Sequence, residues 1–132
     1  MGLELYMVGV IVADMRRSVE FYRRLGVTIP AGSEEKQHIE VKMSGLTFFL
    51  NTNRKQARFD PVRSEASGGY RIILEFYLLT REAVDAKYEE MIGFGYESHC
   101  APYEVSPTLY FAMINDQDGN TILLSAFLGE AA

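Results

Sequence analysis

The sequence predicts an α+β fold in which one supersecondary unit is used twice, and three observations carry that reading. Apolar runs of strand length alternate with stretches whose apolar residues recur at helical spacing. The order strand, helix, strands occurs on either side of a polar connection. The segment Gly45-x-x-Phe48-Phe49-Leu50 is echoed by Gly119-x-x-Ile122-Leu123-Leu124. Together they give a first module at 3–52, a linker at 53–69 and a second module at 70–128, read as two βαβββ modules in a single domain spanning 1–132. One helix covers only one side of a sheet, so each module has a second apolar face to bury.

The elements follow from local chemistry. Leu5 to Val12 is a Val- and Ile-rich run, short enough for a buried strand. Asp14 is placed to cap a helix whose apolar positions are Met15, Val19, Tyr22 and Leu25, and Gly26 to stop it. Gln37 to Met43 alternates, with Ile39, Val41 and Met43 against His38, Glu40 and Lys42, and Ser44-Gly45 turns it into a second strand, Leu46 to Asn51. The linker breaks the apolar period with Arg54, Lys55, Arg58, Pro61 and Gly68-Gly69. Tyr70 to Leu79 reads as a strand, Thr80 as the cap of a helix carrying Val84, Tyr88 and Met91, and Gly93 and Gly95 as its end. Tyr96 to Tyr103, Leu109 to Ile114 and Thr121 to Phe127 complete the second module, with a tight turn at 116–120.

Composition narrows the function. The chain has 132 residues, 48% hydrophobic and 23% charged, as ordinary globular domains do. Its net charge of −5 excludes the basic footprint of a nucleic-acid binder. No apolar stretch reaches the ~20 residues of a membrane span, and no basic segment precedes the first strand as in a signal peptide. Cys100 is the single cysteine, so no internal disulfide forms. These features lead us to expect a cytoplasmic protein.

Few residues offer obvious chemistry. His38 and Glu40 share one strand face and read either as an acid–base pair or, more simply, as the solvated face of an edge strand. His99 and Cys100 are neighbours on a strand, which points their side chains apart and argues against a thiol site. The Asp116-Gln117-Asp118-Gly119-Asn120 segment lacks the remaining ligands of a calcium loop and reads as a turn. Of Tyr110 and Phe111, one must face each side of its sheet, and an inward aromatic suits a planar ligand.

The string from Val10 through Asp14 and Ser18 to Phe21-Tyr22 and Leu25-Gly26, with the closing Asp116-Gln-Asp118-Gly119-Asn120-x-Ile122, resembles the vicinal oxygen chelate superfamily of glyoxalases, extradiol dioxygenases and bleomycin-resistance proteins. Gln117 stands where the family pattern has proline. The resemblance implies a curved mixed sheet with helices outside and a concave cavity inside. It places the four metal-ligand positions of metal-using members at Met7, Phe49, Ile73 and Leu123, none of which suits a divalent ion. Strand parity from Ile73 then points Arg71, Glu75 and Tyr77 inward and leaves Ile72, Leu74, Phe76 and Leu78 as the helix-facing set. Arg71 and Glu75 are expected either to pair with each other or to read a ligand.

The expectation is therefore a metal-free, cofactor-free small-molecule binding protein of the bleomycin-resistance type, with Met7, Phe49, Arg71, Ile73, Glu75, Tyr77, Tyr110 and Leu123 as the ligand-binding set. Sequestration of a toxic or antibiotic ligand is the role this implies, and homodimers are common among two-module relatives. The alternatives are a superfamily enzyme with a rewired site using Glu75 or His38 as acid or base, and an interaction module whose interior is simply core.

Overall fold

A computed structural model describes residues 5–55 and 72–129. The chain divides into two compact units, 1–67 and 68–132, taken here as modules one and two.

Module one contains β1 (Met7–Val12), α1 (Met15–Leu25), a 3-10 turn at Ser33–Glu35, β2 (His38–Met43) and β3 (Leu46–Thr52). Its sheet has the order β1-β3-β2, with β1 parallel and β2 antiparallel to β3. Asp14 caps α1 by accepting the Arg17 N–H, and Gly26 ends it with φ of 124°, a left-handed turn that a side chain would resist. The four apolar positions expected of α1 are all buried, as are Ser18 and Phe21. They meet the face of the sheet formed by Val10, Val12, Phe48 and Leu50, where the Tyr22 and Phe48 rings lie 5.4 Å apart.

Among the described residues, two strands follow α1 in module one, and residues 27–37 form a loop with a 3-10 turn. The Arg23 guanidinium holds that loop, donating to the carbonyls of Ile29 and Pro30 and pairing with Glu34 at 2.6 Å. A backbone N–H and Arg23 together keep the Glu34 carboxyl below the ordinary carboxylate range.

Module two runs β4 (Leu74–Tyr77), α2 (Arg81–Gly93), β5 (Glu97–Ser106), β6 (Leu109–Asn115) and β7 (Thr121–Phe127), in the sheet order β4-β7-β6-β5. Thr80 caps α2 through the Ala83 N–H. Ala112, Ile114, Ile122, Leu124 and Ala126 form the helix-facing core with Val84 and Met91. The turn before β7 is tied by Asp116, whose carboxylate accepts from the N–H groups of Asp118 and Asn120 and from Asn120 Nδ2, while Gly119 adopts φ of 85°. Those donors occupy the Asp116 carboxylate that a calcium reading would need.

Two strand boundaries differ from the sequence reading. Of the strand expected over Tyr70–Leu79, Tyr70 and Arg71 lie outside the described residues, and among the described ones it runs over Leu74–Tyr77, with its first ladder pair at Leu74↔Ile122. Ile72 lies ahead of that pair at 75% exposure, so the helix-facing apolar set begins at Leu74. In the other direction β5 is longer than expected and carries register shifts, the irregular pairing of a bulged edge strand.

Candidate functional site

Cross-strand register fixes which side chains share the sheet face turned away from each helix. In module one that face carries Met7, Gly9 and Ile11 from β1, Thr47, Phe49 and Asn51 from β3, and His38, Glu40 and Lys42 from β2. Phe49 lies across Gly9 so closely that a Cβ built there would fall 1.9 Å from its ring. Glycine at position 9 is therefore what lets the ring lie flat on the sheet. His38 stands beside this ring, with centroids 5.4 Å apart, and bridges two polar groups. Its Nδ1 lies 2.5 Å from Oδ1 of Asn51, and its Nε2 donates to Oε2 of Glu40 at 2.8 Å. Asn51 is only 1% exposed, whereas the His38 and Glu40 side chains remain about one-third accessible, at 34% and 38%.

The equivalent face of module two carries Glu75 and Tyr77 from β4, Leu123 and Ser125 from β7, and Phe111 and Met113 from β6. Ser125 is buried, and its hydroxyl donates to Oε2 of Glu75 at 2.7 Å. The other Glu75 oxygen has no partner among the described residues. The Glu75 carboxylate, anchored at one oxygen, opposite Leu123 on the ladder and two residues from Tyr77 on its own strand, is a directional acceptor beside apolar side chains.

The structure thus puts Met7 and Phe49 together on one face, and Glu75, Tyr77 and Leu123 together on the other. Ile73 lies just before β4, and Arg71 falls outside the described residues. The partner found for Glu75 is Ser125. Tyr110 is a correction. It pairs with Ala126, is 6% exposed and faces α2, where its hydroxyl donates to Asp85 at 2.6 Å and its ring lies 4.5 Å from the Arg81 guanidinium carbon. The Asp85 carboxylate that accepts this bond, and then burial, push the Tyr110 phenol above its ordinary range. Phe111 takes the face on which Tyr110 was expected. Asn51 and Ser125 were not anticipated at all. His99 and Cys100 sit on the bulged edge strand β5, where Cys100 pairs with Met113 across the ladder.

The four positions at which the resemblance expects metal ligands offer few lone pairs. A thioether at Met7 and hydrocarbon at Phe49, Ile73 and Leu123 supply no hard or borderline ligand. Among the described residues no group of three or more His, Cys, Asp or Glu side chains gathers elsewhere. No described helix is long and apolar enough to cross a membrane.

This architecture of repeated strand–helix–strand modules, with mixed open sheets, defines a glyoxalase-type α+β protein. The chain belongs to the Glyoxalase/Bleomycin resistance protein/Dioxygenase superfamily, whose model matches residues 5–124. Among solved structures it is similar to a glyoxalase/bleomycin resistance protein/dioxygenase family enzyme from Burkholderia phytofirmans PsJN, at 20% identity and a TM-score of 0.80, covering 94% of this chain and 98% of that one. A glyoxalase/bleomycin resistance protein from Albidiferax ferrireducens T118 shares 26% identity at a TM-score of 0.69, over 92% and 97% of the two chains. Lactoylglutathione lyase from Agrobacterium tumefaciens is similar at 15% identity and a TM-score of 0.65, covering 93% and 92%. No curated protein matches the sequence.

Proposed function

We propose that this protein binds a small organic molecule on the helix-averse face of module two, without a divalent metal, and holds it rather than transforming it. The observation that carries the reading is Glu75, fixed through one oxygen by the buried Ser125 hydroxyl and bordered by Tyr77 and Leu123. The natural complement is a ligand with hydrogen-bond donors on a flat apolar body. Its donors meet the second carboxylate oxygen, and its ring meets the aromatic and aliphatic side chains. Sequestration in the cytoplasm, by a homodimer, is the role we assign to it.

Binding of an identified ligand by wild type and Glu75→Gln tests the site. The substitution is expected to weaken binding by about 1.5 to 3 kcal/mol, the range for hydrogen bonds to charged groups, while leaving the unfolding curve in place. Equal affinity in both proteins removes Glu75 from the site. Elemental analysis is expected to find no stoichiometric divalent metal, and one tightly held ion per chain would overturn the metal-free reading. Sedimentation fixed at the 14.9 kDa of one chain would reject the dimer. A second reading, an enzyme using Glu75 or His38 as acid or base, draws support from the fold likeness to a lactoylglutathione lyase and is tested by turnover of candidate electrophiles.

A further inference from the structure

The parallel strands β1 and β3 end together, at the register pair Val12↔Thr52. Chains that diverge from the carboxyl ends of parallel strands leave a crevice, and open sheets commonly take ligands there. In module one a hollow of about 390 Å³ lies at this end, walled by residues 13–16 where α1 begins, by residues 34–37 around the end of the 3-10 turn, and by Thr52 and Arg54. Two of these walls are bound to each other. Thr52 donates its N–H to the Gln37 carbonyl at 3.0 Å and its hydroxyl to Oε1 of Gln37. The Gln37 side chain therefore turns its oxygen to Thr52, and its NH2 group has no partner among the described residues.

The carboxylates of the hollow are already engaged. Asp14 accepts the Arg17 N–H, Glu35 pairs with Arg16, and Glu34 pairs with Arg23 at 2.6 Å. Lys36 and Arg54 line the same hollow with no hydrogen bond or ion pair from their side chains to the described residues. Arg16, Arg23, Lys36 and Arg54 stand against Asp14, Glu34 and Glu35, so one positive charge is in excess. The groups left over are donors, and they call for a ligand rich in acceptor oxygens. A phosphoryl group presents three terminal oxygens, one for each of Lys36, Arg54 and Gln37, whereas a carboxylate presents two. The volume falls within the ~300 to 1,000 Å³ of small-molecule pockets, which leaves room for a short organic body beside the phosphate. Polar side chains on all three walls favour a polar body.

We propose that this hollow is a binding site for a phosphate monoester of a small polar alcohol, with Lys36, Arg54 and Gln37 as its donors. It calls for an anion, whereas Glu75 calls for hydrogen-bond donors, so either site can fail without the other. Lys36 and Arg54 are exposed, and salt therefore screens their attraction for the ligand.

The test is a titration of the intact protein with glycerol 3-phosphate at low ionic strength, followed by NMR of assigned backbone and side-chain signals. The expected result is one saturable set of shifts at Lys36, the Gln37 side-chain amide and Arg54, weakening as sodium chloride is added. Lys36→Met and Arg54→Met should each weaken binding about fivefold and keep the wild-type unfolding midpoint. Gln37→Glu keeps an acceptor for Thr52 but replaces the donors with a negative charge, and should abolish saturation. Lys87→Gln, which removes a cation from α2, should change nothing. Glycerol should not saturate the site, and inorganic phosphate should bind more weakly than the ester. Saturation by glycerol overturns the anion requirement, and inorganic phosphate binding as tightly as the ester overturns the ester assignment. Affinity unchanged in both the Lys36 and Arg54 variants, or shifts spread equally over Lys87 and other exposed cations, overturns the site.

Discussion

The two modules share a sheet plan but arrive at their polar groups by opposite routes. Module one leaves the middle of β1 bare at Gly9 and carries its ionisable groups on the edge strand β2, whereas module two carries its carboxylate on β4 and fills the equivalents of His38 and Glu40 with Phe111 and Met113. What is common is the backbone register and the buried polar residue on the last strand. The difference teaches that, in a duplicated sheet, the position that fixes an ionisable group is kept while the strand that supplies the group changes.

The largest expected effect tests the shared part. Leu50 and Leu124 occupy equivalent positions on the helix-facing sides, both at 0% exposure. Replacing either with alanine should cost about 2 to 5 kcal/mol in denaturant unfolding, from lost apolar transfer and the cavity left behind. A loss below about 1 kcal/mol at one of the two would break the equivalence of the modules.

A smaller effect sharpens the contrast between β1 and β4. Gly9→Ala forces the Phe49 ring off the sheet, since the new Cβ falls within its volume. The expected cost is about 1 to 3 kcal/mol, as for other overpacked sites, together with a changed environment for the neighbouring His38 ring signals. Unchanged stability and unchanged His38 signals would show that the ring does not rest there.

Tyr110→Phe removes the bond to Asp85 while keeping the ring beneath Arg81, and should cost about 1 to 2 kcal/mol. Its pH dependence has a definite sign. The folded phenol titrates above its ordinary value, so this contribution is full below the unfolded tyrosine pKa and fades as alkali carries the pH through the folded one. Identical alkaline unfolding of wild type and variant would contradict that assignment.

The smallest effect belongs to the clasp between Arg23 and Glu34, for which module two has no described counterpart. The Glu34 carboxyl titrates below its ordinary value, so its contribution is present above the unfolded pKa and is lost as the pH falls through the folded one. Glu34→Gln should flatten the acid limb of the stability profile slightly, and an acid limb identical to wild type would remove Glu34 from it.

Much of this was legible in the sequence because strand parity propagates through tight turns. The Ser44-Gly45 hairpin sets His38 opposite Asn51, and the turn at 116–120 sets Asn115 opposite Thr121 and so Tyr110 opposite Ala126. Followed through, that register assigns Tyr110 to the helix side and Phe111 to the other, so the misplacement of Tyr110 reflects parity left unpropagated. Asn51 and Ser125 were readable in the same way, each six residues after the glycine of the echo. The bond between His38 and Glu40 was less accessible, because alternation places two side chains on one face without saying whether they face water or each other. The clasp that Arg23 makes on the loop over 27–37 was hidden for another reason: it works through carbonyl oxygens, and backbone acceptors leave no mark on composition.

The turn that closes the hairpin of module two also governs how the protein ages. Asp-Gly is the sequence most prone to isomerisation, through attack of the glycine amide nitrogen on the preceding aspartyl carboxyl to give a cyclic imide. Here the Gly119 nitrogen donates its hydrogen to the Asp116 carbonyl at 3.1 Å, and the Asp116 carboxylate grips the amides on either side of it, those of Asp118 and Asn120. Reaching the imide means rotating that nitrogen out of a turn held at both ends, so native protein stored in warm buffer should accumulate isoaspartate at Asp118 more slowly than a short peptide of the same sequence, as read by peptide mapping. Equal rates in the two would mean that the turn opens freely.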